Sequence, residues 1–174
     1  MRLFIAIELA ADIQQVLLSY QPNTDRDLRR VQQSQLHLTL HFLGEADAQI
    51  IDQSLAGIRA SRFELCLHSL GRFQDRRQQS TLWAGVQSNS HLLALQRTIG
   101  QQLQQTEIAL ESRRYTPHIT LARCHRACNP ALIQHFLAQT APTHCFPVDE
   151  FALYRSDLDS DGAHYRIIQR YALV

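Results

Sequence analysis

Lysine is absent from this chain: every one of its 17 basic residues is an arginine, set against 16 acidic residues for a formal net charge of +1. Two chemistries lose their central residue with it. ATP-dependent ligases carry the adenylyl group on a lysine, and P-loop enzymes hold phosphates with one. The near-neutral balance also excludes a non-specific polyanion binder whose affinity comes from bulk charge, so contacts to nucleic acid are expected to be local. No apolar run approaches the roughly 20 residues of a membrane-spanning helix, and the N-terminal RLFIAIEL has a strand pattern in place of a basic, apolar signal segment. A cytoplasmic protein with no membrane partner is expected. Cysteine is scarce: Cys66, Cys124, Cys128 and Cys145 are too few and too scattered for a disulfide scaffold, and free thiols are the expectation. Cys124, His125 and Cys128, with His144 and Cys145, offer zinc-type donors, but the C-x3-C spacing fits finger patterns poorly and no metal is expected.

What the chain does contain is a repeated pattern. Leu36 to Gly44 reads LHLTLHFLG, and 81 positions after His37 the sequence again gives His, apolar, Thr, Leu at His118, Ile119, Thr120 and Leu121. Side chains alternate faces along a strand. His37 and Thr39 therefore share one face, with His41, while Leu36, Leu38, Leu40 and Phe42 share the other; His118 and Thr120 are paired in the same way. Imidazole titrates near neutrality, so two of them supply a base and an acid at once. That pairing suits in-line displacement at phosphorus, with each threonine hydroxyl donating to a non-bridging oxygen. The chemistry requires no metal and no cofactor.

These motifs, with RLFIAIEL, LWAGV, YTPHITLAR, EFALYRSDL and YRIIQRYAL in the same order, cover nearly the whole chain, which here resembles the 2H phosphoesterases and, within them, the bacterial RNA 2′,3′-cyclic phosphodiesterases, also known as 2′-5′ RNA ligases. The resemblance implies an α+β fold, bilobal and pseudo-twofold: two antiparallel sheets flank a central groove, helices lie outside, and each lobe of the single 1–174 domain gives one motif, at 37–40 and 118–121. It implies hydrolysis of a terminal 2′,3′-cyclic phosphate to a 2′-phosphate, with His37 as general acid, His118 as general base, and Thr39 and Thr120 on the phosphate oxygens. The near-equivalent motifs do not themselves say which histidine plays which part. The implied partners are RNA ends bearing a cyclic phosphate, including tRNA fragments and small cyclic nucleotides; a monomer is expected. Two other readings stay open: the same site run in reverse as an ATP-independent 2′-5′ ligase, and an RNA-end binding module with little turnover.

Periodicity supplies the remaining elements. Strands are expected at Arg2 to Leu9, Arg62 to Leu70, Thr81 to Gln87, Val148 to Ser156 and His164 to Leu173. Helices are expected over Ile13 to Tyr20, after Asp47 with Ile50, Ile51, Leu55 and Ile58 buried, from Ser90 with Leu92, Leu95, Ile99 and Leu103 buried, and after Asn129-Pro130 with Leu132, Ile133, Phe136 and Leu137 buried. Gly71 to Ser80 reads as a charged loop whose Arg72, Arg76 and Arg77 face water or bind an anion. Asp157 to Gly162 imitates an EF-hand start but has Ile168 where the bidentate Glu belongs, so it reads as a hairpin turn. Three further residues are candidates for substrate binding: Arg123, where related proteins often carry arginine although strict alternation puts it opposite His118; Tyr154, on a strand face with Ala152; and Phe4, at the edge of a base site. For Tyr154 and Phe4, core packing is the competing reading.

Overall fold

The apolar N-terminal run forms β1 (Arg2–Glu8), five of whose seven residues are buried because both of its faces are covered. The computed structural model describes residues 1–77, 79–106, 108–125, 128–160 and 162–174. After β1 come α1 (Ala11–Ser19), β2 (Leu28–Arg30), a 3-10 turn (Gln33–Gln35), β3 (His37–Glu45), α2 (Ala48–Leu55), β4 (Phe63–Gln74) and β5 (Ser80–Val86). The chain continues through α3 (Ser90–Leu103), β6 (His118–Cys124), α4 (Pro130–Ala138), β7 (Cys145–Val148), β8 (Glu150–Asp159) and β9 (Gly162–Ala172).

The strands form two antiparallel sheets, ordered β3-β1-β8-β9 and β2-β6-β5-β4-β7, which with the helices make an α+β fold. One histidine motif opens β3 and the other opens β6, one strand in each sheet. Apart from α1, which follows Ala10 and has no capping side chain, the α-helices begin where capping side chains satisfy free backbone donors. Asp47 accepts from Gln49 and Ile50, Asn89 from Leu92, and Asn129 from Ala131 ahead of Pro130. Their apolar stripes join residues from both sheets in one hydrophobic cluster, while Phe4, Ala6, Ala152 and Tyr154 form a second, smaller cluster on the opposite face of the first sheet. Ile50 and Leu137, expected inside, lie on the outer sides of their helices at 53% and 41% exposure.

Two expectations change in ways that matter for function. The charged loop is shorter than Gly71 to Ser80, because β4 runs on to Gln74 and pairs Gly71, Arg72, Phe73 and Gln74 with Trp83, Leu82, Thr81 and Ser80 of β5. This extension tolerates no side chain at position 71, where a Cβ would lie 2.2 Å from the Trp83 ring. The cysteines are paired, Cys66 with Cys145 and Cys124 with Cys128. Cys66 and Cys145 stand directly opposite each other in the β4–β7 ladder, a relation that their separation of 79 residues hides in the sequence. No helix among the described residues is long and apolar enough to cross a membrane.

Candidate active site

In β3, His37 and Thr39 share a half-buried face, and Leu38 and Leu40 are buried on the other. Alternation then breaks. Ala6 pairs with Thr39 and Ile5 with His41, which leaves Leu40 unmatched, so the strand carries a bulge and its faces exchange. His41 turns to α3, where its Nε2 lies 2.8 Å from the Gln96 carbonyl, and not to the face of His37. Phe42, expected in the core, instead stands 56% exposed beside Phe4, with ring centroids 6.2 Å apart.

Beneath His37 lies an aromatic floor. Phe4 stacks on Tyr154 at 4.9 Å, and His37 packs on Phe4 at 4.9 Å and on Tyr165 at 5.2 Å. Phe4 and Tyr154 are 3% and 7% exposed, packed on each other in this floor. Glu8, Gln14, Ser34, Leu36, Tyr165 and Ile167 complete a cavity of about 200 Å³ with His37 and Tyr154 in its wall. Burial pushes the His37 pKa down to about 4, with the charges of Arg123 and His118 acting in the same direction and the Gln35 carbonyl opposing them.

The second motif has its own bulge. Leu82 pairs with Ala122 and Trp83 with Thr120, leaving Leu121 unmatched in β6. One extra residue shifts the parity of everything after it. Arg123, which strict alternation sets opposite His118, returns to the histidine face, exposed and with its Nη1 3.5 Å from Thr81 Oγ1. The carbonyl of Leu121 accepts from the Val31 amide at 3.0 Å and from Gln21 Nε2 at 3.0 Å, so the segment before the first motif grips the bulge of the second. Immediately after Arg123, the Cys124–Cys128 disulfide anchors the strand end. His118 packs edge-on against Phe73 at 4.8 Å and near Trp83 at 6.1 Å, and burial, then the Arg123 charge, lowers its pKa against the upward pull of the Thr116 carbonyl.

The two motifs meet. Tyr115, three residues before His118, donates its hydroxyl to the backbone oxygen of Thr39 at 2.9 Å, and its burial holds the phenol neutral by raising its pKa. Both imidazoles are held alike: His37 Nδ1 lies 2.6 Å from the carbonyl of Gln35, and His118 Nδ1 lies 2.8 Å from that of Thr116, in each case two residues back along the chain. A carbonyl only accepts, so Nδ1 carries the proton and Nε2 is the working nitrogen of each ring. Two neutral imidazoles whose Nε2 atoms have no hydrogen-bond partner among the described residues, two hydroxyls and a guanidinium whose charge acts on both rings form a set suited to a phosphodiester monoanion.

The other candidate donors are occupied. Cys66 and Cys145, close to Glu64, are bonded to each other, and Cys124 to Cys128, so the cysteines provide no thiolates for the zinc arrangement considered above. In the β8–β9 hairpin, Asp157 takes a hydrogen bond from Arg155, and Asp159 takes one from the Gly162 amide and pairs with His164, as expected of a turn; Asp161 lies outside the described residues. Phe73, Trp83, Tyr115 and Tyr165 also stand at the two histidines with no site role expected of them, as does Phe42, which alternation assigned to the core. Of these only Tyr115 has a signal in the sequence, its position just before the second motif.

The comparisons agree with this geometry. A family model described as the 2′-5′ RNA ligase superfamily matches residues 7–160. The chain is 31% identical over 182 residues to the RNA 2′,3′-cyclic phosphodiesterase of Escherichia coli, covering 99% of this chain and 96% of that one. It is 27% identical over 164 residues to the protein of the same name from Geobacillus stearothermophilus, covering 90% of this chain but spanning only 52% of that relative's length. Among solved structures it is similar to Escherichia coli LigT complexed with 3′-AMP, with a TM-score of 0.83 at 29% identity over 99% of this chain and 97% of that one.

Proposed function

The chain belongs to the 2′-5′ RNA ligase superfamily, and from that membership we propose that it hydrolyses 2′,3′-cyclic phosphates at RNA ends to 2′-phosphates by metal-independent acid/base catalysis. The observation that carries this reading is the matched pair of tied Nδ1 atoms, which leaves an Nε2 on each histidine for proton transfer. His118 Nε2 takes a proton from water as the water oxygen bonds to phosphorus. The P–O3′ bond breaks, and His37 Nε2 gives its proton to the departing 3′-oxygen. Thr39 and Thr120 donate hydrogen bonds to the non-bridging oxygens, and Arg123 sets its charge against them.

An acid with a pKa near 4 is unprotonated at neutral pH. A phosphate monoanion between the imidazoles opposes the effects of burial and of Arg123, so His37 acquires its proton as the substrate binds. The two proton transfers then proceed in one encounter. Phe42 offers the terminal base an exposed ring on the His37 side. The name of the Escherichia coli relative and the 3′-AMP in the LigT complex both favour a nucleotide in this groove. Cleaved RNA ends, tRNA fragments among them, and small cyclic nucleotides are the proposed substrates, acted on by a monomer in the cytoplasm.

The test is incubation with excess EDTA and a short RNA ending in a 2′,3′-cyclic phosphate, resolving 2′- from 3′-phosphate products. Conversion to the 2′-phosphate is expected. Binding without conversion would make the groove a recognition pocket, and a 3′-phosphate product would reverse the assignment of the leaving oxygen.

A further inference from the structure

Two aromatic rings stand open to solvent among the large exposed apolar residues, Phe42 at 56% and Phe73 at 38%. They belong to different sheets. Phe42 lies on β3 beside the Phe4 floor of His37, and Phe73 lies on β4 with its ring 4.8 Å from His118. If His37 protonates the departing 3′-oxygen, the ribose bearing that oxygen, and its base, belong on the Phe42 side. In-line geometry puts the entering oxygen opposite, against His118 and therefore against Phe73. Water has no use for a ring there; a nucleoside has. Three and four residues beyond Phe73, at the tip of the β4–β5 hairpin, Arg76 and Arg77 are exposed, and neither side chain has a carboxylate partner among the described residues. An open ring followed by unpaired guanidinium groups is the combination that holds single-stranded nucleic acid, the ring taking a base and the cations its phosphates.

We propose that Phe73, with Arg76 and Arg77, forms an entering-strand subsite, in which the 5′-terminal base of a second RNA stacks on Phe73 and sets its 5′-hydroxyl where water otherwise attacks. The subsite rests on the acid and base roles proposed above. In the step it serves, the 5′-oxygen bonds to phosphorus and gives its proton to His118 Nε2, the P–O3′ bond breaks, and the 3′-oxygen takes a proton from His37 Nε2. The product is a 2′-5′ phosphodiester with a free 3′-hydroxyl, the energy coming from the strained cyclic phosphate and no nucleotide triphosphate being used. The hairpin thus decides the competition between water and RNA as nucleophile.

The experiment gives the protein a donor RNA ending in a 2′,3′-cyclic phosphate together with a 5′-hydroxyl oligoribonucleotide, and measures joined and hydrolysed donor in the same reaction. Phe73→Leu keeps an apolar contact to His118 but offers no ring face. Stacking contributes about 1–3 kcal/mol per base, so the ratio of joined to hydrolysed product is expected to fall about 5- to 150-fold in this variant. Arg76→Gln with Arg77→Gln lowers the ratio further and flattens its salt dependence. A ring that merely supports His118 would slow both products together and leave the ratio unmoved, overturning the proposal. Wild-type hydrolysis with no joining at saturating acceptor would overturn it as well. Binding separates the subsite from the hydrolytic reading: Trp83 is the only tryptophan in the chain and its ring lies 5.0 Å from Phe73, so titrating the 5′-hydroxyl oligonucleotide alone should change its fluorescence saturably in the wild type and not in Phe73→Leu. That signal in a protein without hydrolytic activity would sink the hydrolase and keep the subsite, whereas hydrolysis without the signal would do the reverse.

Discussion

Arg123→Gln tests the idea that a bulge, and not the strand's ordinary parity, supplies the groove with its cation. The guanidinium lowers the pKa of both histidines and lies on their face only because Leu121 is unmatched in the ladder. Its removal has two separable effects. A charge-assisted hydrogen bond to a phosphate oxygen contributes about 1.5–3 kcal/mol, so kcat/KM should fall roughly 10- to 150-fold. The charge on the imidazoles acts through water, because Arg123 is exposed, and at a water-like dielectric two charges about 4 Å apart interact by only about 1 kcal/mol. Both limbs of the bell-shaped profile should therefore move to higher pH by less than about one pH unit, as apparent values of the coupled pair. Arg123→Lys separates the two: it restores the charge and the limbs but not the planar fork, and recovers only part of the rate. The assay is kcat/KM on a 2′,3′-cyclic phosphate dinucleotide from pH 4 to pH 9, with buffers matched in ionic strength. A Gln variant within threefold of wild type, or limbs moving to lower pH, would refute the reasoning.

Replacing either His37 or His118 with Ala should lower turnover by about 100-fold or more, measured under saturating substrate; near-normal turnover in both variants would remove them from the chemistry. Acid should destabilise the fold through His37, whose folded pKa of about 4 lies below the ordinary histidine value of about 6.5. The unfolded chain binds the extra proton, so this contribution is complete above about pH 6.5 and is lost as pH falls toward 4. Urea unfolding at pH 7 and pH 5 should show the wild type losing roughly 2 kcal/mol more than His37→Gln over that interval. Gly71→Ala sets a methyl group against the Trp83 indole and should lower stability by about 1–3 kcal/mol or more, read by urea unfolding, and slow turnover through the displaced wall of His118.

The sequence by itself determined the two strands that carry His37, Thr39, His118 and Thr120, because hydrophobic alternation and the repeated motif are local properties of the chain. Helix boundaries were similarly legible at Asp47 and Asn129-Pro130, where a side chain caps the backbone within two or three residues. Position relative to a face was legible only as far as the first bulge. Past Leu40 and Leu121 the parity changes, and with it the places of His41, Phe42 and Arg123. A bulge is a relation between two strands, decided by which pairing lets both ladders and both cores close, so no periodicity within one strand records it. The same holds for Cys66 opposite Cys145 and for the extension of β4 that brings Phe73 to His118: each depends on a partner strand and its register. Strand pairing within the first sheet also decided the electrostatics, since the burial that lowers the pKa of His37 comes from Phe4, Tyr154 and Tyr165 on its three other strands. The chemical groups are written in the chain, but their environment is made by contacts between residues far apart in it.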